Sequence, residues 1–334
     1  MRVLVAGATG AVGRQLVPAL VRAGHQVTAT SRSESRLAGL RAAGAEPAVL
    51  DGLDARAVGE VVARAEPEVI IHEMTAIPAD LSLRNFDRSF AVTNQLRTRG
   101  IDYLLAAAAA AGTRRVIAQS YGGWDYARTG GLVKTEDDPL DPEPPARQRE
   151  TLTAIRHLER AVLDAPLEGL VLRYGSLYGP GASEGIVELI RKRQLPVIGS
   201  GAGVWSFLHV ADAAAATVAA VSSGRTGVYN VADDEPAAVA QWVPEVARIV
   251  GAPAPRRLPA WLGRLVVGEV GISMMTRIRG VSSARAQREL GWRPIWPSWR
   301  DGFARGLTSP AGPDQAGQDR AGRAAGSGRA DRGN

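Results

Sequence analysis

Seven residues near the start of the chain, Gly7-Ala8-Thr9-Gly10-Ala11-Val12-Gly13, have the spacing of a backbone that binds pyrophosphate. Glycines at the first, fourth and seventh places let the chain turn tightly, admit an anion close to the amides, and let the following helix pack on the preceding strand. This is binding chemistry: amides at a helix N-terminus, where the dipole favours negative charge, hold a dinucleotide. Groups that make and break bonds are scarcer. There is no Cys, which excludes a thiolate nucleophile, a disulfide framework and the usual zinc clusters. Lys134 and Lys192 are the only Lys residues, and no Tyr has a Lys four places later.

A turn of this kind needs a strand before it and a helix after it. Residues 1–6 are an apolar strand pattern, and an amphipathic helix pattern runs on to Arg22. Strand patterns recur at 26–31, 46–50, 69–72, 115–119 and 169–172, with helical patterns between them. The alternation predicts an α/β fold, a Rossmann-type doubly wound parallel sheet of six or seven strands. A turn-rich connector, Glu136-Asp137-Asp138-Pro139 through Pro144-Pro145, precedes a helix over 150–163. The second half mixes short strands, notably 227–231, with helices and many Pro residues, and reads as a smaller mixed lobe closing over the cofactor. The expected division is a dinucleotide-binding domain at 1–170, a substrate-binding lobe at 171–308 and a disordered tail at 309–334, where Gly, Ala, Asp and Arg recur without apolar period.

The net charge of +6 comes almost wholly from Arg residues scattered among Asp and Glu, without the concentrated stripe that nucleic acid requires. Apolar stretches are interrupted by charge well before membrane-spanning length, and the strand beginning at Arg2 leaves no room for a leader. A cytoplasmic monomer or homodimer acting on a small molecule is expected, with no nucleic-acid or membrane partner and no metal.

Further motifs follow in order: Ile71-His72, Gln119-Ser120-Tyr121, Thr135-Glu136, Leu172-Arg173-Tyr174-Gly175-Ser176-Leu177-Tyr178-Gly179-Pro180-Gly181, Phe207-Leu208-His209-Val210-Ala211-Asp212, Tyr229-Asn230-Val231 and Leu290-Gly291-Trp292. With the glycine turn they resemble, over roughly residues 1 to 305, an extended short-chain dehydrogenase/reductase of the NAD(P)-dependent epimerase/dehydratase superfamily.

That resemblance implies where a cofactor would lie. The phosphates fall to Gly7, Thr9, Gly10, Ala11, Val12 and Gly13. At the end of the second strand, where an NAD-binding member places an acid against the ribose hydroxyls, this chain reads Thr30-Ser31-Arg32. An acid would repel a 2'-phosphate, whereas Ser31 and Arg32 would bind it, joined by Arg36 if the intervening turn is helical. NADP(H) is therefore expected in preference to NAD(H). Asp51, followed by Gly52, either accepts from the adenine amino group or caps the next helix, a role for which Asp54 is better placed. Met74, Thr75 and Ala76 fall to the ribose and pyrophosphate, and Tyr174, Gly175 and Ser176 to the nicotinamide carboxamide.

The resemblance also locates the catalytic groups. Members carry a Ser after the fifth strand and a Tyr-x-x-x-Lys pair opening the next helix, with a Glu four places beyond the Lys. Aligning that Glu on Glu159 puts Ile155 at the Lys position and Thr151 at the Tyr position, so the usual proton relay is gone. Ser120, Tyr121 and Thr151 remain as hydroxyls. Tyr121 either takes the place of the catalytic Ser or packs under Gly122-Gly123-Trp124, and His209 either donates a proton or orders the lobe junction. Alcohol oxidation needs a base, but carbonyl reduction needs only a donor to the developing alkoxide. The expectation is NADPH-dependent reduction of a carbonyl on a small metabolite, for instance one of polyketide type. A nucleotide-sugar epimerase or dehydratase and a non-catalytic dinucleotide sensor are the alternatives. The apolar stretch at 258–280 reads either as a cover for a flat, greasy substrate or as core of the smaller lobe.

Overall fold

The computed structural model describes residues 1–78, 81–123 and 125–308. The tail expected at 309–334, and Trp124, lie outside these residues. Seven strands make one sheet: β1 (Arg2–Ala6), β2 (Gln26–Ser31), β3 (Glu46–Val49), β4 (Val69–His72), β5 (Arg115–Tyr121), β6 (Glu168–Tyr174) and β7 (Gly227–Val231). Their spatial order is β7-β6-β5-β4-β1-β2-β3, and every neighbouring pair is parallel. The order reverses between β1 and β4, the crevice where such sheets bind ligands.

The helices that matter for the site are α1 (Gly13–Arg22), α2 (Ala55–Ala65), α3 (Ile101–Ala110), α4 (Arg149–Asp164), α5 (Val210–Ser222), α6 (Val239–Ile249) and α7 (Ala260–Thr276). Alternate strand residues face opposite sides, and the two cores follow from that. Val3 and Val5 of β1 pack with Leu16 and Leu20 of α1 and Ala213 and Ala216 of α5, while Leu4 and Ala6 pack with Val58 of α2, Leu104 of α3 and Leu158 of α4. Both faces of the sheet are covered, which is why its strands read as continuous apolar runs.

A third core lies around Phe207, Trp242 of α6, Trp299 and Phe303. The strand read at 227–231 is present at those residues, but it is the seventh strand of the main sheet, beside β6. The chain thus returns to the large sheet after residues 176–178 have paired with 207–209 outside it.

Candidate active site

Parallel strands bring all their carboxyl ends to one edge, and the expected cofactor residues gather there. Gly7 leaves β1 with φ of +97°, and a Cβ at this position would lie 2.6 Å from the Glu73 carbonyl carbon and oxygen and 2.8 Å from the Met74 nitrogen. Gly13 has a related constraint, since a Cβ there would stand 2.5 Å from the Ala8 carbonyl. The turn between them is closed by the Gly10 amide donating to the Gly7 carbonyl at 3.1 Å, and the Ala8 amide donates to the Thr30 carbonyl at 3.2 Å. The amides of Ala11, Val12 and Gly13 donate to nothing among the described residues, and α1 begins with neither a side-chain cap nor an acid in its first turn. An uncapped N-terminus under a glycine turn fits a pyrophosphate.

Ser31 ends β2 with its hydroxyl accepting from the Ser33 amide at 3.1 Å; Arg32 and Arg36 are exposed, and Arg36 closes a short turn (Glu34–Arg36) leading into a helix. Asp51 lies just past β3 with Oδ1 accepting from the Leu53 amide at 3.0 Å, whereas Asp54 caps α2, accepting from the amides of Arg56 and Ala57. The capping role thus falls to Asp54. Gly52 is buried where a Cβ would meet the Met74 sulfur at 2.4 Å. Met74 is buried, Thr75 is exposed, and the Ala76 amide donates to the Thr93 hydroxyl at 3.0 Å. These residues line the edge from β1 through β4.

The hydroxyls expected to do chemistry are placed differently. Ser120, at the end of β5, donates to Glu159 of α4 at 2.7 Å. Glu159 in turn accepts two hydrogen bonds from Arg173, at 2.7 and 2.6 Å; Arg173 also donates to the Tyr126 hydroxyl, which donates to Asn230. Thr151 is fully buried and donates to Asp87 at 2.7 Å while accepting from the Asn94 side-chain amide at 3.1 Å. Asp87 also accepts from the Glu150 and Thr151 amides, so it caps α4 from outside the helix. Ser120 and Thr151 thus both turn their hydroxyls inward, each onto a carboxylate. Tyr121 is half-buried, with its hydroxyl 3.0 Å from that of Ser176. Gly175 and Ser176 are held by backbone bonds from their amides to Val231 and Ser206.

Tyr174 faces the core. Its hydroxyl donates to Glu73 at 2.9 Å and meets the Thr217 hydroxyl, so it does not reach toward a carboxamide. Glu73 is buried and forms no ion pair among the described residues, and desolvation pushes its carboxyl up to about 8. Because the folded value lies above the ordinary 4.5, the protein gains stability from this group below that value and loses it as pH rises toward and through about 8. Glu73→Gln, which keeps an acceptor for Tyr174, is expected to melt with the native chain near pH 5 and several degrees higher near pH 9 in paired thermal scans. A difference independent of pH would contradict the assignment.

His209 is buried and caps α5, its Nδ1 accepting from the Ala211 amide and its Nε2 bonded to the Gly306 carbonyl at 3.0 Å. It ties the start of α5 to the Gly306 carbonyl. Ile155 of α4 packs with Phe86, Phe90, Val270, Met274 and Ile278, against which Tyr121 and Trp205 also rest. The 258–280 stretch is divided: α7 breaks at Gly268, leaving Trp261 70 % exposed before the break while Val270 and Met274 after it join this aromatic wall. Sequence reasoning missed Asp87, and it missed Arg97, which is buried beside Phe90. Neither residue lies in a motif or a catalytic spacing, so no signal marked them.

With this geometry in view, the model of the NAD dependent epimerase/dehydratase family matches residues 3–232. The chain belongs to this family. A 3-diazoavenalumate denitrifying reductase from Streptomyces sp. is 47 % identical over 311 residues, covering 91 % of this chain and 100 % of that protein. A UDP-glucose 4-epimerase from Mycolicibacterium smegmatis is 28 % identical, over 88 % of this chain and 94 % of that one. The structure of the Thermus thermophilus UDP-glucose 4-epimerase with NAD superposes with a TM-score of 0.71 at 23 % identity, covering 92 % of this chain and 98 % of that one, and shares the fold. The chain is an NAD(P)-dependent oxidoreductase. Among the described residues no helix is long and apolar enough to cross a membrane.

Proposed function

We propose that this oxidoreductase is an NADPH-dependent reductase whose electrophile is the diazo-bearing carbon of an aromatic small molecule. The observation that carries the reading is the inward anchoring of Ser120 and Thr151, which leaves the positions of the usual proton relay without a titrating acid. Replacing a diazonium nitrogen by hydrogen asks for none: the dihydronicotinamide, when bound, supplies two electrons and the hydrogen nucleus, Ar–N2+ becomes Ar–H, and N2 leaves with the C–N electron pair. The 47 % identical relative, named for denitrifying a diazo compound, supports the same substrate class.

The chain's own residues then position and protect. The amides of Ala11, Val12 and Gly13 would hold the pyrophosphate, Asp51 the adenine, and Ser31, Arg32 and Arg36 a 2'-phosphate. Tyr121 and Ser176 would border the nicotinamide. Ile155, Phe86, Phe90 and Met274 form a buried apolar core against which Tyr121 rests, and such surroundings would help exclude water, which captures a diazonium carbon in competition with reduction.

Carbonyl reduction of a polyketide-type metabolite is the second reading, favoured by the Tyr121 and Ser176 hydroxyl pair, which can donate to a developing alkoxide. Turnover with NADPH of an aryl diazonium acid and of an aryl ketone separates the two. The first reading expects one N2 per NADPH oxidised; an alcohol formed from the ketone, with no N2 from the diazonium acid, supports the second. Interconversion of a nucleotide sugar without net consumption of nicotinamide would overturn both. Arg32→Ala is expected to weaken NADPH binding by about tenfold or more and leave NADH unchanged in a fluorescence titration, from loss of a charge-assisted contact of roughly 1.5 to 3 kcal/mol. Equal affinities of the native chain for both cofactors would remove the 2'-phosphate assignment.

A further inference from the structure

A helix N-terminus carries partial positive charge, which favours an acid in the first turn and opposes a cation there. The first turn of α1, Gly13-Arg14-Gln15-Leu16, has no acid, and its one charged residue is Arg14. Arg14 is exposed, yet its side chain does not extend away from the dipole. Its Nε donates back to the Thr9 carbonyl at 3.1 Å, which lays the guanidinium along the glycine turn. The two terminal nitrogens take part in no hydrogen bond or ion pair among the described residues. The rest of a planar fork of N–H groups is thus held at the glycine turn without an acceptor.

A second loop, Gly179-Pro180-Gly181, packs against the same turn. A Cβ on Gly181 would lie 3.7 Å from the Ala11 Cβ and 3.9 Å from Nη1 of Arg14. Local bonds fix this loop: the Gly179 amide donates to the buried Ser183 hydroxyl at 3.1 Å, and the Gly181 amide to the Glu184 carboxylate at 2.6 Å. Glu184 therefore serves the backbone and forms no ion pair with Arg14. The guanidinium stands between the loop and Ala11, whose own amide donates to nothing among the described residues.

We propose that Arg14 is a binding residue for the cofactor's pyrophosphate, pairing with its anionic oxygens while the amides of Ala11, Val12 and Gly13 hold them from the helix end. An anion between the guanidinium and the helix end also turns the dipole's opposition to this cation into a favourable arrangement. This rests on reading the glycine turn as the pyrophosphate site. It gives Arg14 a different task from Arg32 and Arg36: those two would read the 2'-phosphate, whereas the pyrophosphate is common to NADPH and NADH.

NADPH and NADH are titrated by nicotinamide fluorescence against the native chain, Arg14→Gln, Arg14→Lys and Gly7→Ala, at low and at high ionic strength. Arg14→Gln should weaken both cofactors by the same factor, about fivefold or more, and Arg14→Lys should recover part of the loss. High salt should narrow the gap between the native chain and Arg14→Gln, because the lost contact is electrostatic and open to solvent. The melting temperature of Arg14→Gln without cofactor should stay within about 1 °C of the native value, since the side chain is exposed. Equal cofactor affinities in the native chain and Arg14→Gln would overturn the proposal. A loss confined to NADPH would overturn it too, by moving Arg14 to the 2'-phosphate. So would a salt-independent loss with a lower melting temperature, which would make the Thr9 contact a support for the turn alone. If Gly7→Ala weakens both cofactors and Arg14→Gln neither, only the role of Arg14 fails; if neither variant weakens them, the glycine-turn reading fails with it.

Discussion

Arg173→Met is expected to lower the unfolding free energy by about 3 to 5 kcal/mol, measured by urea denaturation at neutral pH. Arg173 makes two bonds to Glu159 and one to Tyr126, and all three residues are buried or nearly so. Removing the guanidinium leaves Glu159 as a buried carboxylate whose remaining partner is the Ser120 hydroxyl, and it deprives Tyr126 of a donor. The pair Arg173→Met and Glu159→Gln together should recover much of the loss, because the double variant strands no charge. Ser120 stands where the family resemblance implies a catalytic hydroxyl, and a large cost on rupture would mark this network as framework. A loss below about 1 kcal/mol in the single variant would mean that the site relaxes and that Ser120 is free to turn outward.

Gly7→Ala should raise the dissociation constant for NADPH by more than about tenfold and lower the melting temperature. Two costs add. A left-handed backbone penalises a side chain by roughly 1 to 2 kcal/mol, and the new Cβ would stand 2.6 Å from the Glu73 carbonyl, so the start of α1 must shift away from β4. The amides of Ala11, Val12 and Gly13 move with it. Unchanged cofactor affinity, measured by fluorescence titration on folded protein, would place the dinucleotide elsewhere.

Much of this architecture was legible in the sequence, for a physical reason. Buried parallel strands are short apolar runs, so the pattern puts β2, β4 and β7 at their observed bounds and the others within two residues. The glycine turn was legible because its glycines answer to backbone geometry that no other residue satisfies. The neighbour of β7 was not, since strand order depends on crossovers rather than local pattern. Ser120 and Thr151 show the limit most clearly. Their types and places were right for catalysis, but the direction of each hydroxyl is fixed by a partner 39 residues away for Ser120 and 64 for Thr151. No local spacing encodes those contacts. Arg97 was invisible for the related reason that burial of a single charge inside an irregular turn leaves no period.

The reduction proposed for this site draws no proton from the protein. Its most direct test is isotopic: an aryl diazonium acid is reduced with NADPH carrying deuterium at the transferred position in ordinary water, and again with unlabelled NADPH in deuterium oxide. One deuterium is expected at the carbon that bore nitrogen in the first product, none in the second, one N2 for each, and the same rate in both solvents once the cofactor label is corrected for. Deuterium at that carbon from solvent, or a large solvent isotope effect on the chemical step, would contradict it.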